Sequence, residues 1–87
     1  MAYTIVVRDD ARKALGRLDP AVRRQVGRVI DRLADNPRPG QATRLVTDPG
    51  TWRVKTGDWR ILYEIHDDRL IVLVIDVQHR RTDYRRR

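Results

Sequence analysis

Two residues, Gly57 and Asp58, separate the runs W-R-V-K-T (52–56) and W-R-I-L-Y-E-I-H (59–66). Both runs are rich in β-branched and aromatic residues, and so short a glycine-containing link between them predicts a tight β-hairpin. A two-residue turn also fixes the register. Thr56 must face Trp59, Lys55 must face Arg60, and Val54 must face Ile61. Side chains alternate along a strand. One face of the hairpin therefore carries Trp52, Val54, Trp59, Ile61, Tyr63 and Ile65, and this is the predicted core side. The opposite face carries Arg53, Lys55, Arg60, Leu62 and Glu64.

The rest of the chain supplies what that hairpin packs against. Leu70 to Val77 is a further strand, apolar on both parities, which predicts a central position; Asp67-Asp68 is its connecting turn. Tyr3 to Arg8 predicts a first strand, flanking this one on the far side. Asp9 or Asp10 is expected to cap a short helix built on Ala11, Ala14, Leu15 and Leu18. Asp19-Pro20 restarts the chain, with Asp19 as N-cap and Pro20 at the first helical position. The second helix is expected to run to about Asp35. Its apolar stripe is Val22, Val26, Val29, Ile30 and Leu33, and its outer face carries Arg23, Arg24, Arg28 and Arg32. Pro37 and Pro39 predict an irregular stretch to about Gly50.

This order gives an α+β fold: a small, antiparallel-dominated, four-stranded sheet with two N-terminal helices packed on one face (β-α-α-β-β-β). An 87-residue chain has room for one such domain, expected over residues 1–87, with 78–87 as a basic C-terminal segment. The sequence has no cysteine, which excludes disulfides and thiolate metal sites. It has no apolar run of membrane-spanning length and no secretory pattern at its start, so a cytoplasmic protein without a membrane partner is expected.

Charge narrows the function. Nineteen Lys and Arg oppose twelve Asp and Glu, and only Lys13 and Lys55 among the bases are lysine. A surface of that sign calls for an acidic partner, nucleic acid or acidic protein. Lys55 opposite Arg60 is informative, because like charges across an antiparallel pair cost a few tenths of a kcal/mol, up to ~1. A bridging anion would offset that cost, and Arg53, one side-chain period away, would extend the patch. The plainer reading is a solvated sheet face whose long side chains splay apart.

The end of the chain weighs on the first reading. Its last ten residues hold five arginines and one aspartate. A last strand antiparallel to its predecessor returns the segment 78–84 to the neighbourhood of Arg60, which would gather Lys55, Arg60, Arg80, His79 and Tyr84. Neither a carboxylate pair nor a metal-ligand cluster accompanies them, so no metal and no cofactor are expected. The set suits a phosphate whose charge changes during reaction. RNA needs little more, since its ribose 2′-OH is an internal nucleophile that DNA lacks. Imidazole titrates in the range useful for acid–base work, which makes His79 a candidate. A phenol held among cations ionises more readily, which makes Tyr84 another. A packed aromatic anchor is the competing role for Tyr84, and a ring pointing away from Arg80 the competing placement for His79. His66, beside Asp67 and Asp68, is expected in solvent. Trp52 and Trp59 are assigned to the core by parity, Tyr3 and Tyr63 to core or supporting positions. Arg53, Arg81 and Arg85 are candidate phosphate binders, and Arg86 and Arg87 auxiliary charge.

The block W-R-V-K-T-G-D-W-R-I-L-Y-E-I (52–65) with L-I-V-L-V-I-D-V-Q-H-R-R-T-D-Y-R (70–85) resembles the RelE branch of the RelE/ParE toxins of type II toxin–antitoxin pairs. The first strand, the two helices and the D-P link are similar too, so the likeness covers essentially the whole chain. The RelE branch implies ribosome-dependent cleavage of mRNA in the A site, leaving a 2′,3′-cyclic phosphate. By that resemblance Arg53 and Lys55 match basic residues of the second strand, Arg60 the arginine opening the third, and Arg80 and Tyr84 the late arginine and tyrosine. Tyr84 or Lys55 would be the base, Arg60 and Arg53 would hold the scissile phosphate, and Arg80 would assist the leaving group. Two departures stand out: Arg53 replaces a family lysine and cannot act as a base, and the Arg80–Tyr84 spacing is short. His79 stays a candidate because some relatives carry a histidine nearby. The resemblance further implies an antitoxin partner, with operator DNA met only through the antitoxin complex. Two other readings remain open: a ParE-like, non-enzymatic inhibitor of DNA gyrase, and a catalytically weakened RNA-binding homologue.

Overall fold

The computed structural model describes residues 2–81. Its elements, in chain order, are β1 (Thr4–Val7), α1 (Asp9–Gly16), α2 (Pro20–Arg32), β2 (Thr43–Arg44), β3 (Trp52–Thr56), β4 (Trp59–His66) and β5 (Ile71–His79). The strands form one sheet in the order β1-β5-β4-β3-β2. β1 runs parallel to β5 on the far side, and the other pairings are antiparallel. The α+β class, the two helices on one face and the interior position of β5 are as the sequence leads one to expect.

The sheet has five strands rather than four. The extra one is β2, two residues long, which pairs Thr43 with Arg53 and Arg44 with Trp52. The prolines that forbid regular structure at 37 and 39 lie upstream of it, so Thr43 and Arg44 are free to pair along the edge of β3. Other boundaries shift for local reasons. Arg8, not an aspartate, is the N-cap of α1; Asp9 and Asp10 sit inside its first turn, where carboxylates complement the exposed N–H groups. α2 ends at Arg32, and Leu33 and Ala34 donate back to Ile30 and Asp31 in tightened turns. Leu70 belongs to the turn before β5, with a positive φ of 53°.

The core is a single cluster between the helices and the sheet. Ala11, Leu18, Val26, Ile30 and Leu33 come from the helical layer, and Val54, Ile61, Tyr63, Val72, Val74 and Val77 from the sheet. The hairpin parity holds: Val54, Ile61 and Tyr63 are fully buried. Trp52 and Trp59 are half-buried and pack against the same cluster.

β5 keeps its valines inside by means of a bulge. Tyr63 pairs with Val74, yet Leu62 pairs with Asp76, so Ile75 is an extra residue on β5. Before it Val72 and Val74 face the core; after it Val77 does. Unbroken alternation would have put Asp76 inside. The bulge instead sets Asp76 opposite Leu62 and Gln78 opposite Arg60, and brings His79 level with Trp59. No helix among the described residues is long and apolar enough to cross a membrane.

Candidate functional site

The site is built at the turn end of the β3–β4 hairpin. Thr56 pairs with Trp59 across a two-residue turn, and Gly57 alone of the two central residues has positive φ, 59°. That combination fits a type II′ turn, in which the first central position favours glycine. Helix α2 closes on this turn. Gln25 Nε2 donates to Thr56 Oγ1 at 2.9 Å, and a Cβ on Gly57 would lie 3.1 Å from the same nitrogen. The turn is therefore held by the helix as well as by the ladder.

Lys55 and Arg60 are direct cross-strand partners on the sheet face away from the helices. β5 then delivers Arg80 to the same place. The Arg80 N–H donates to the Asp58 carbonyl at 2.6 Å, and Arg80 Nε lies 3.6 Å from Asp58 Oδ1. The Arg60 guanidinium donates through Nη2 to the Arg80 carbonyl. Lys55, Gly57, Asp58, Trp59, Arg60 and Arg80 line one cleft of about 340 Å³. Among the described residues three cations and a single carboxylate share it, a composition that suits an anion.

The other sequence-selected residues go elsewhere. His79 ends β5 opposite Trp59, and the two rings meet edge to face with centroids 5.0 Å apart. Its Nδ1 accepts the backbone N–H of Arg81 at 3.2 Å, so in the neutral ring the proton is on Nε2. His79 lines a separate groove of about 580 Å³, shared with Lys13, Arg17 and Leu18. Trp59 forms a wall of both. Arg53 lies on the Lys55 face but reaches Thr43 Oγ1 at 3.5 Å and does not line the cleft. Arg81 is exposed, with its N–H committed to His79. Tyr84 and Arg85 lie outside the described residues. His66 is half-exposed and paired with Glu64 Oε1 at 3.0 Å, rather than fully in solvent.

Asp58 was not among the sequence candidates, because a turn aspartate is common for conformational reasons alone. A second arginine cluster was missed as well. Arg38 grips Asp67 through both terminal nitrogens, at 2.7 and 3.3 Å, and the Tyr3 O–H donates to the same carboxylate at 2.5 Å. The Arg38 hydrogen bond, reinforced by Tyr3, holds the Asp67 carboxyl below the ordinary carboxylate value, and the hydrogen bond to Asp67 pushes the Tyr3 phenol up. Arg38 and Arg44 also flank the Trp52 ring, at 5.6 and 5.7 Å from its centroid. Beneath them Tyr63 donates to the Pro37 carbonyl at 2.8 Å, and burial pushes its phenol up to about 12.

The fold is shared with known toxins. The family model for the ParE toxin of type II toxin–antitoxin systems (parDE) matches residues 5–84. An Escherichia coli protein named as a RelE-like toxin is 30% identical over 81 residues, covering 92% of this chain and 85% of its own. Toxin RelG of Mycobacterium tuberculosis is 33% identical over 88 residues, covering 99% of this chain and all of its own, 100%. The toxin–antitoxin complex RelBE2 of Mycobacterium tuberculosis superposes with a TM-score of 0.82 at 27% identity, covering 91% of this chain and 99% of the other. The chain therefore belongs to the RelE/ParE toxin superfamily. Within it, this is a RelE-like toxin of a type II toxin–antitoxin system.

Proposed function

We propose that this toxin inhibits translation by cutting mRNA in the ribosomal A site, as a metal-independent endoribonuclease acting in the cytoplasm. The observation that carries the reading is the convergence of Lys55, Arg60 and Arg80 on one cleft. In the reaction the ribose 2′-oxygen attacks the adjacent phosphorus while a base takes its proton. The bond from phosphorus to the 5′-oxygen then breaks, leaving a 2′,3′-cyclic phosphate and a 5′-hydroxyl that must gain a proton. Negative charge grows on the phosphoryl oxygens and on the departing 5′-oxygen. Fixed cations beside both are the chief contribution a protein can make.

In this scheme Arg60 holds the scissile phosphate and Arg80 assists departure of the 5′-oxygen. Lys55 or Tyr84 is the base. Arg53, Arg81 and Arg85 bind flanking phosphates. His79, in the neighbouring groove behind Trp59, is given a supporting place beside Arg80 rather than the base's role. An open cleft without a deep substrate pocket suits an enzyme whose RNA is positioned by the ribosome. A cognate antitoxin is the protein partner, in keeping with the toxin–antitoxin complex among the structural relatives. Operator DNA is reached only through that antitoxin.

The match to the ParE model favours a second reading, a non-enzymatic inhibitor of DNA gyrase. Purified toxin, Arg80→Ala and Tyr84→Phe are incubated with programmed ribosomes and the mRNA ends mapped, with gyrase supercoiling assayed in parallel. A-site cuts that weaken in the variants are expected. Intact mRNA together with inhibited gyrase would sink the ribonuclease reading.

A further inference from the structure

We infer that Asp58 is a positioning residue, which orients the Arg80 guanidinium over the cleft and acts as the counter-ion that a substrate phosphate displaces. The inference rests on the ribonuclease reading for its role in turnover, but its structural content is separate. Asp58 grips Arg80 twice, by its carbonyl at the backbone N–H, 2.6 Å, and by its carboxylate at Nε, 3.6 Å. Arg60 takes the Arg80 carbonyl from the other side of the same strand end. The two hairpin residues thus both bind the backbone of Arg80, and Asp58 alone among the described residues forms an ion pair with its side chain.

The turn does not demand a carboxylate at this position. Its special geometry falls on Gly57, and Asp58 has no positive φ. Stability does not demand one either: both side chains of the pair are about three-fifths exposed, 60% and 59%, and exposed ion pairs contribute little. What the position does provide is a negative charge inside a cleft that otherwise brings Lys55, Arg60 and Arg80 together. The carboxylate offsets their mutual repulsion before substrate arrives. Contact at Nε leaves Nη1 and Nη2 of Arg80 with no partner in the cleft among the described residues. A phosphodiester carries a single charge, as a carboxylate does, but can take the guanidinium through two parallel hydrogen bonds, where Asp58 meets it at one nitrogen, 3.6 Å away. It can therefore displace Asp58 while inheriting an Arg80 already set in place.

Asp58→Asn keeps the side-chain shape and the backbone carbonyl and removes only the charge. Two opposite effects are expected. Inorganic phosphate, titrated while the Arg80 Nε–H resonance is followed by NMR, should bind Asp58→Asn several-fold more tightly, because its competitor is gone. Turnover on programmed ribosomes should fall about tenfold, because Arg80 is less well oriented. Asp58→Glu should restore part of the rate. In an Arg80→Ala background, Asp58→Asn should change turnover no further, the non-additivity expected of two residues acting as one unit. Unchanged phosphate affinity, or an equal loss of turnover with Arg80 already removed, overturns the inference. Wild-type toxin that leaves programmed mRNA uncut sinks the ribonuclease reading instead, and the phosphate titration still decides the fate of Asp58.

Discussion

Asp67, in the turn between β4 and β5, is held by two nitrogens of Arg38 and the hydroxyl of Tyr3. Asp58, in the turn between β3 and β4, meets one edge of one guanidinium at 3.6 Å. The turns lie at opposite ends of β4, and each sets a carboxylate against an arginine. At the first end Arg38 and Asp67 are paired bidentately, and with Tyr3 they fasten the proline-rich loop and the start of β1 to the sheet. At the second end cations outnumber the carboxylate, and the sheet supplies them from two hairpin strands and the end of β5. The contrast shows how a strongly basic chain can fold: it satisfies some arginines internally and leaves others clustered along an open cleft.

The sharpest way to break this contrast is to remove the buried ring beneath the fastened end. Tyr63→Ala should destabilise the protein by about 3–5 kcal/mol, in the range for large aromatic-to-alanine changes in a core, as read from urea melts. A loss confined to cleavage, with stability intact, would show that this end is not structural. The reverse signature is expected at the cleft. Arg80→Ala should lower mRNA cleavage by about 10²-fold and leave the urea midpoint where it was. If both quantities moved together, the division between the two ends would fail.

Smaller changes sharpen the division. Asp67→Asn should lower the melting temperature slightly and leave cleavage unchanged, since Asp67 is remote from the cleft and exposed. The pH dependence of stability should carry the same stamp. Asp67 has a depressed value when folded, so its contribution is present above its ordinary value of 3.8 and is lost as pH falls through the depressed one. Tyr63 has the opposite sign. Its folded value is raised, so its contribution is complete below the ordinary 10.0 and disappears as pH rises from there through about 12. Urea midpoints across both limbs check this, and Tyr63→Phe should remove the alkaline limb attributable to that ring.

Much of the cationic site was legible before the structure. The Gly57-Asp58 turn sets Lys55 opposite Arg60 by counting residues, and antiparallel return brings Arg80 back to them. The sequence left the side of His79 open, because it depends on the phase of β5, which an apolar run on both parities cannot reveal; the structure puts its ring in the neighbouring groove against Trp59. Asp58 was overlooked because nothing in a turn motif separates an aspartate that shapes the backbone from one that holds a side chain. The Arg38–Asp67–Tyr3 cluster joins residues up to 64 positions apart, and no local pattern announces it.

The sequence by itself determined the hairpin register, the core face of β3 and β4, and the two helices. Each follows from a local rule: a two-residue turn, alternation of side chains, or helical spacing. Only the tertiary structure decided the phase of β5. Burying Val72, Val74 and Val77 against the helices requires one extra residue, Ile75, and that bulge keeps Asp76 out of the core and sends His79 behind Trp59. The deciding quantity is the packing of the whole helical layer on the sheet, which no stretch of β5 contains.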